Sequence, residues 1–520
     1  MSLLRSIASV GSYTMISRVL GFAREILLAS VLGPGMIADA FIMAFKFPNF
    51  FRRMFAEGAF NAAFVPLYAG RLHSDGAEPA RAFAGEVAAV MAVWMLALTA
   101  GAMVAMPWLM YGIAPGWSDQ PDKFALTVEL TRITFPYLLF MALTAMLSGM
   151  LNSMERFAAA AAAPILLNIV MIATLLLIRG GVLDLPGQAL AWGVAVAGIG
   201  QFLWLALVCR RAGILPHLPR PRLTPGVRRL FRVMLPGVIG AGVVHINLLV
   251  DGFLASLLPQ GSVSYLYLAD RLNQFPLGVV GVSVGIALLP MMTRQLRGGQ
   301  MEAAAYSQNR AIEFALFLTV PAAAAFLAVP DLIIQVAYQR GAFLPEHTGP
   351  TAMALAAFAV GLPAYVLIKA FQPGFYARED TMTPMKVAIG AVILNIALAV
   401  GLMLVLRHVG IALATGLAAW ANAGALGLIL HRRGQLRTDE RLRRRVPRIL
   451  AAAAAMAAVL WWLKGALAGM FAGSLPSQIS GLTLVVLAGA AVYLAVAMAS
   501  GAMHPRDFSS LLRRRAPPAA

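Results

Sequence analysis

The sequence predicts an all-α polytopic membrane protein of fourteen transmembrane helices, and three observations carry that prediction. Of its 520 residues, 60% are hydrophobic and only 12% charged, where a soluble chain has roughly 45–50% and 25%. Apolar runs of the length a helix needs to cross a bilayer, about 20 residues, recur along the whole chain. The basic residues gather in alternate loops, which is how a multi-spanning chain encodes its orientation. Runs of this length point to helices and not to a barrel, because a helix satisfies every backbone group within its own segment.

The spans fall at 8–32, 37–69, 84–112, 128–151, 158–179, 188–209, 230–257, 263–292, 311–335, 351–375, 385–406, 410–430, 447–470 and 480–502. No small-residue cleavage site precedes the arginines of the first, so it reads as a retained helix and not a signal peptide. The second is longer than a bilayer needs; it is expected to kink at Pro48 and to protrude at its C-terminal end. The eighth is interrupted by Asp270, Arg271 and Pro276. The last two are nearly free of charge, and Trp461-Trp462 reads as an interfacial anchor.

Loops that follow even-numbered spans carry the cations: Arg71 and Arg81; Arg156; Arg210, Arg211, Arg220, Arg222, Arg228 and Arg229; Arg294 and Arg297; Arg378 and Lys386; and the run from Arg432 to Arg448. Loops 33–38 and 259–264 carry no Lys or Arg. The positive-inside rule then places both termini in the cytoplasm, and an even number of spans agrees. A dozen spans would share that parity. The net charge of +19 is therefore topological information and not the footprint of a nucleic-acid partner. A lone cysteine, Cys209, excludes an intrachain disulfide. No Walker A sequence, attached ATPase or metal-ligand histidine spacing is present, and nothing suggests catalysis on a substrate.

An internal repeat divides the chain. Leu28-Ala29-Ser30 returns as Leu254-Ala255-Ser256, Phe47-Pro48 as Phe275-Pro276, and Leu167-Asn168-Ile169 as Leu394-Asn395-Ile396, at shifts of 226 to 228. Pro136 and Pro363 keep the same register. Six spans per unit give both units one orientation, so they are related by an axis along the membrane normal and suited to alternating access around a midplane site. The expected parts are an N-terminal six-helix lobe at 1–215, a C-terminal six-helix lobe at 223–433, helices thirteen and fourteen at 446–503 and a basic tail at 504–520.

The chemistry sits in the first two spans. Arg18, Arg24, Arg52 and Arg53 occupy them together with Asp39, Lys46, Asn49 and Glu57. One arginine at mid-bilayer costs about 2.5–3.5 kcal/mol even on insertion scales, so these side chains are expected to face water inside the bundle. Asp39, Lys46 and Arg53 are spaced by sevens and form one stripe, which Asn49 joins. Arg52 points to an adjacent face. Glu57 stands four beyond Arg53 and Glu25 seven beyond Arg18, and either pair could neutralise itself and glue helices. No acid suggests itself for Arg24 or Arg52, which read as anion contacts. The second half adds His245, Asn247, Asp251, Asp270, Arg271 and Lys369. Asp270-Arg271 precedes Phe275-Pro276 as Asp39 precedes Phe47-Pro48. Seven basic cavity candidates, Arg18, Arg24, Lys46, Arg52, Arg53, Arg271 and Lys369, stand against four acidic ones, Asp39, Glu57, Asp251 and Asp270; an exporter of cationic drugs would want the opposite sign. Arginine forks suit a phosphate or diphosphate. Arg132 reads as a snorkelling interfacial residue.

These residues resemble the MurJ (MviN) family of lipid II flippases, in the multidrug/oligosaccharidyl-lipid/polysaccharide exporter superfamily. The likeness rests on Ser17-Arg18-Val19-Leu20-Gly21-Phe22-Ala23-Arg24, on Ala38-Asp39-Ala40-Phe41, and above all on the stretch from Phe47-Pro48-Asn49-Phe50-Phe51-Arg52-Arg53 through Glu57-Gly58 to Phe64-Val65-Pro66. Ala269-Asp270-Arg271-Leu272 and Phe375-Tyr376-Ala377-Arg378 extend it to nearly the whole chain. The resemblance implies fourteen helices in two lobes with cytoplasmic termini in the bacterial inner membrane. It implies lipid II as the partner, moved from the inner to the outer leaflet. Arg18, Arg24, Asp39, Arg52 and Arg271 match positions required in the cavity; Asn49, Arg53, Glu57 and Asp270 complete the candidate substrate site. Helices thirteen and fourteen would form a groove for the lipid tail. No cofactor is implied, although some members bind sodium between the seventh and eleventh helices, where Asp251 and Asn395 sit here. Sodium, protons or membrane potential remain open as the drive. Proteins of cell-wall synthesis and division are possible further partners. A flippase for another diphosphate-linked saccharide, a drug or cation antiporter and a non-transporting scaffold are the rival readings.

Overall fold

The computed structural model describes residues 3–52 and 60–503, without the side chains of 3–9, 236–246, 248 and 279–287. Arg53, Glu57, the His245 side chain and the tail 504–520 thus lie outside the described residues. Those described are helical almost throughout, with no strand among them. The chain forms two compact units, one reaching to Ser264 and including Arg340–Leu344, the other made of Tyr265–Gln339 and the residues from Pro345 onward.

The first unit contains α1 (Leu3–Leu32), α2 (Met36–Phe51), α3 (Phe60–Ser74), α4 (Ala77–Ile113), α5 (Pro121–Thr134), α6 (Tyr137–Ser153), α7 (Phe157–Arg179), α8 (Pro186–Arg211) and α9 (Pro225–Ser256), and the start of α10 (Ser262–Arg297). The second contains the rest of α10, then α11 (Met301–Ala328), α12 (Pro330–Tyr338), α13 (Pro345–Tyr376), α14 (Met382–Leu406), α15 (His408–Arg432), α16 (Glu440–Ala466), α17 (Ala468–Phe471) and α18 (Leu475–Ala499).

Among the described residues, ten helical segments are long and apolar enough to cross a membrane, and they coincide with the expected third to sixth and ninth to fourteenth spans. The expected first, second, seventh and eighth spans each include residues or side chains outside those described. Burial runs opposite to that of a soluble protein. The most apolar helix, α14, is only 11% buried over its membrane-length window, whereas α13 is 72% buried. Leu404 and Val405 are about four-fifths exposed. Such a surface is stable only where hydrocarbon is the solvent. Trp461 and Trp462 also lie exposed, as an interfacial anchor requires.

Prolines inside helices orphan the carbonyl four residues earlier, and at some of them a side chain repairs the loss. At Pro107 the carbonyl of Met103 accepts from Arg132 Nε at 2.9 Å. Arg132 therefore does more than snorkel. At Pro321 the carbonyl of Phe317 accepts from Tyr493 Oη at 2.7 Å, which ties α18 to α11.

The linker between α8 and α9 is docked on α4. Thr224 Oγ1 donates to Glu86 Oε2 at 2.7 Å while capping Val227 N, and the carbonyl of His217 sits where a side chain on Gly85 would be. At the other end of the unit, Ala342 N donates to Ser30 O at 2.8 Å. Gly341, at φ +59°, lies against that same carbonyl and has no room for a Cβ.

In the second unit, one apolar cluster joins α11, α13 and α15 around Leu316, Phe371, Phe375 and Leu430. Another joins α12, α16 and α18 around Leu332, Met456, Leu460 and Tyr493. A charged seam fastens α16 to α11. Buried Glu313 binds Arg310, Arg441 and Arg445, and Asp439 binds Arg310 while capping Leu442 N at 2.7 Å.

Candidate functional site

The polar residues of α1 and α2 are organised by neighbours that sequence spacing did not indicate. On α1, Arg18 is exposed and Arg24 half-buried. Glu25, 3% exposed, meets Arg24 Nη2 at 2.5 Å. This corrects two expectations: Arg24 does have an acid beside it, and the partner of Glu25 is its neighbour and not Arg18. Two charges adjacent on a helix can meet because the arginine is long enough to wrap back over the turn. The α1 backbone is held from α7, where Asn168 Nδ2 donates to Ser17 O at 2.9 Å across the face left open by Gly21.

Asp39, on the first turn of α2, is 1% exposed and fully engaged. Lys123 Nζ of α5 lies 2.8 Å from its Oδ2, to which Gly261 N also donates at 2.8 Å. Ser264 N and Ser264 Oγ reach Oδ1 at 3.0 and 2.6 Å. The carboxylate thereby caps the first turn of α10, where free N–H groups favour an anion. Lys123 is itself buried and lies 4.2 Å over the ring of Trp117. Asp39 is thus the closed anchor of this polar group in the first unit, one end of the stripe that Lys46 continues. The Lys46 ammonium instead comes up to α9, 3.5 Å from where a Cβ on Gly252 would lie.

The end of α2 carries Arg52. Asn49 Oδ1 accepts from Arg52 Nε at 2.8 Å, one turn along the same face. The sequence assigned Asn49 to the Lys46–Arg53 stripe; the structure joins it to Arg52 and so fixes that guanidinium by one edge. Phe47 and Phe51 pack on Phe135 at 5.5 and 6.2 Å between ring centres, which holds this end of α2 on the junction between α5 and α6.

In the second unit, Arg271 lies 4.6 Å over the ring of Tyr267, four residues before it. Asp270 binds Gln274 one turn on, so the adjacent pair has separate partners, as its helical geometry requires. Asn395 is fully buried on α14, and among the described residues neither of its amide atoms has a hydrogen-bonding partner. Asp251 belongs to the first unit and Asn395 to the second. Among the described residues no three His, Cys, Asp or Glu side chains gather as a metal site would need.

A family model described as "Lipid II flippase MurJ" matches residues 28–481. The chain belongs to the MurJ lipid II flippase family. A "Probable lipid II flippase MurJ" of Rhizobium tropici is 46% identical over 99% of this chain and 98% of its own length. The "Lipid II flippase MurJ" of Burkholderia cenocepacia is 33% identical over 89% and 90%. A solved MurJ flippase in an inward closed conformation shares the fold with a TM-score of 0.78, at 24% identity over 97% of this chain and 99% of that one. A multidrug resistance MATE family transporter, inward-facing, shares the fold at a TM-score of 0.69 and 14% identity over 82% of this chain.

Sequence reasoning missed Lys123, Trp117, Ser264 and Thr134. A signal for two of them was present: Lys123, Thr127, Thr131 and Thr134 recur at helical spacing on one face, away from Asp122, Glu129 and Arg132, which marks a polar seam that faces another helix rather than lipid.

Proposed function

We propose that the chain translocates lipid II, the undecaprenyl-diphosphate-linked peptidoglycan precursor, from the inner to the outer leaflet of the bacterial cytoplasmic membrane by alternating access. The observation that carries this reading is membership of the MurJ family along essentially the whole chain. The Asn49–Arg52 pair on α2 adds a preorganised guanidinium in a membrane segment, where arginine is tolerated only with a purpose.

In this reading Arg24, Arg52 and Arg271 take the diphosphate, and Arg18 sets the charge around them. The four polar segments α1, α2 with α3, α9 and α10 cross the membrane beside the ten apolar ones, which makes fourteen spans with both termini in the cytoplasm. Lobes 1–215 and 223–433 alternate, and 446–503 shelters the lipid tail. Moving an anionic headgroup outward is favoured by an inside-negative potential, worth about 2.3 kcal/mol per charge per 100 mV. In this reading the potential assists the step, beside sodium or protons as coupling ions.

In cells that depend on this protein, Arg52→Ala and Arg24→Ala are expected to insert normally and to abolish the appearance of lipid II in the outer leaflet. Normal outer-leaflet lipid II with either variant would overturn the assignment of that residue. Failure of the wild-type chain to complement a flippase-depleted strain would overturn the substrate.

A further inference from the structure

Pro48 lies inside α2, one residue before Asn49 and four before Arg52. It has no N–H, so the carbonyl of Ala44 loses its helical donor. A bare carbonyl in a water-free interior is costly, and this one is not bare: Thr134 Oγ1 donates to it at 2.9 Å. The other acceptor near that hydroxyl, Thr131 O, is farther at 3.2 Å. A hydroxyl has one proton to give, so the shorter contact takes it. Thr134 is fully buried.

The rest of α5 aims at the same helix. Lys123, Thr127, Thr131 and Thr134 form one buried stripe. Its first member binds Asp39 and its last binds Ala44. The next residue, Phe135, wedges against Phe47 and Phe51. Thus α2 is held on both sides of its proline by one neighbour. The turn leaving that proline carries Asn49 and, bound to it, Arg52. Arg132 at Pro107 and Tyr493 at Pro321 cap orphaned carbonyls in the same manner, but Pro48 is the one followed directly by a candidate substrate contact.

We propose that Thr134 is a positioning residue for Arg52. Its hydroxyl stands in for the missing N–H of residue 48 and sets the direction in which the last turn of α2 presents the Asn49–Arg52 pair to the anionic headgroup. The inference rests on the reading that Arg52 contacts the substrate. It names a residue that touches neither substrate nor Arg52 and acts through the helix turn at Pro48.

Three substitutions test it. Thr134→Val removes the hydroxyl and keeps the shape, Thr134→Ser keeps the hydroxyl, and Pro48→Ala returns an N–H to the helix. Lipid II affinity of the purified protein and outer-leaflet lipid II in cells are measured beside the melting temperature. Thr134→Val is expected to weaken lipid II affinity about 5-fold or more, with flipping reduced in parallel, and Thr134→Ser to restore both. In a Pro48→Ala background Thr134→Val should change affinity less than about 2-fold, because Ala44 then has its own donor. A purely structural role would lower the melting temperature and leave the affinity of the folded protein unchanged, which would overturn the proposal. So would equal losses in both backgrounds, or a loss that serine does not restore. If Pro48→Ala does not accumulate, the contrast between valine and serine decides. Arg52→Ala is run in parallel. If it flips normally, the substrate contact itself is wrong; if it fails while Thr134→Val is silent, only the positioning role falls.

Discussion

Replacing Lys123 by methionine tests the anchor under α2. The ammonium lies 2.8 Å from Asp39 Oδ2, and the two side chains are 2% and 1% exposed. At that separation and an effective dielectric near 20, the attraction is on the order of 6 kcal/mol before desolvation is charged against it. Breaking a buried pair from one side typically costs about 3–5 kcal/mol, because the remaining charge is left uncompensated. Asp39 keeps three other donors, Gly261 N, Ser264 N and Ser264 Oγ, which moves the expectation toward the lower end. Loss of the cation–π contact with Trp117 adds about 1 kcal/mol. Lys123→Met should therefore destabilise the protein by about 3–5 kcal/mol, read as unfolding of the purified protein at rising dodecyl sulfate fraction by tryptophan fluorescence. In combination with Asp39→Asn the losses should be strongly non-additive, with a coupling of about 2 kcal/mol or more. A cost below about 1 kcal/mol, the range of an exposed pair, or simple additivity in the double variant would refute the reasoning.

Two further outcomes follow from contacts in the second unit. The Asp380 carboxyl, in the turn between α13 and α14, is held down to about 2, first by hydrogen bonding to Arg433, then by the Thr383 amide and hydroxyl. A depressed carboxylate stabilises the fold above its ordinary value and loses that contribution as pH falls through the range from 4 toward 2; Arg433→Ala should remove part of this acid-sensitive stability, and unfolding curves whose pH dependence over that range is unchanged by the substitution would refute it. Tyr493→Phe deletes the donor to Phe317 O at Pro321 and should cost about 1–3 kcal/mol in the same unfolding assay. Pro321→Ala should make that substitution nearly neutral, and an undiminished cost there would refute the repair.

The helices themselves were legible because lipid leaves a chain few options. Each backbone group must find its partner within its own segment, so length and hydropathy alone located the ten membrane-length segments, though not the breaks that separate α5 from α6 and set off α12 and α17. The charge-bearing stretches of α1, α2, α9 and α10 were legible for the opposite reason, since arginine and proline in an apolar span are costly enough to signal function. The family emerged from those same residues. The expected partners were less well read. Helical spacing set Glu25 against Arg18 and placed Asn49 in the stripe of Lys46 and Arg53, whereas the structure joins them to Arg24 and Arg52. Spacing along one helix says which side chains can meet. It does not say which rotamer a packed neighbour allows.

The sequence by itself determined that this is an all-helical membrane protein of the MurJ family, with most cations in its loops and an unusual group of arginines within its first two spans. Tertiary structure alone decided what holds those spans in place. Asp39 finds Lys123 at a separation of 84 residues and Ser264 at 225, and Ala44 finds Thr134 at 90. Hydropathy is a property of each segment and can be read one helix at a time. The satisfaction of a buried carboxylate or an orphaned carbonyl depends on which helix packs against which, and at what height along it.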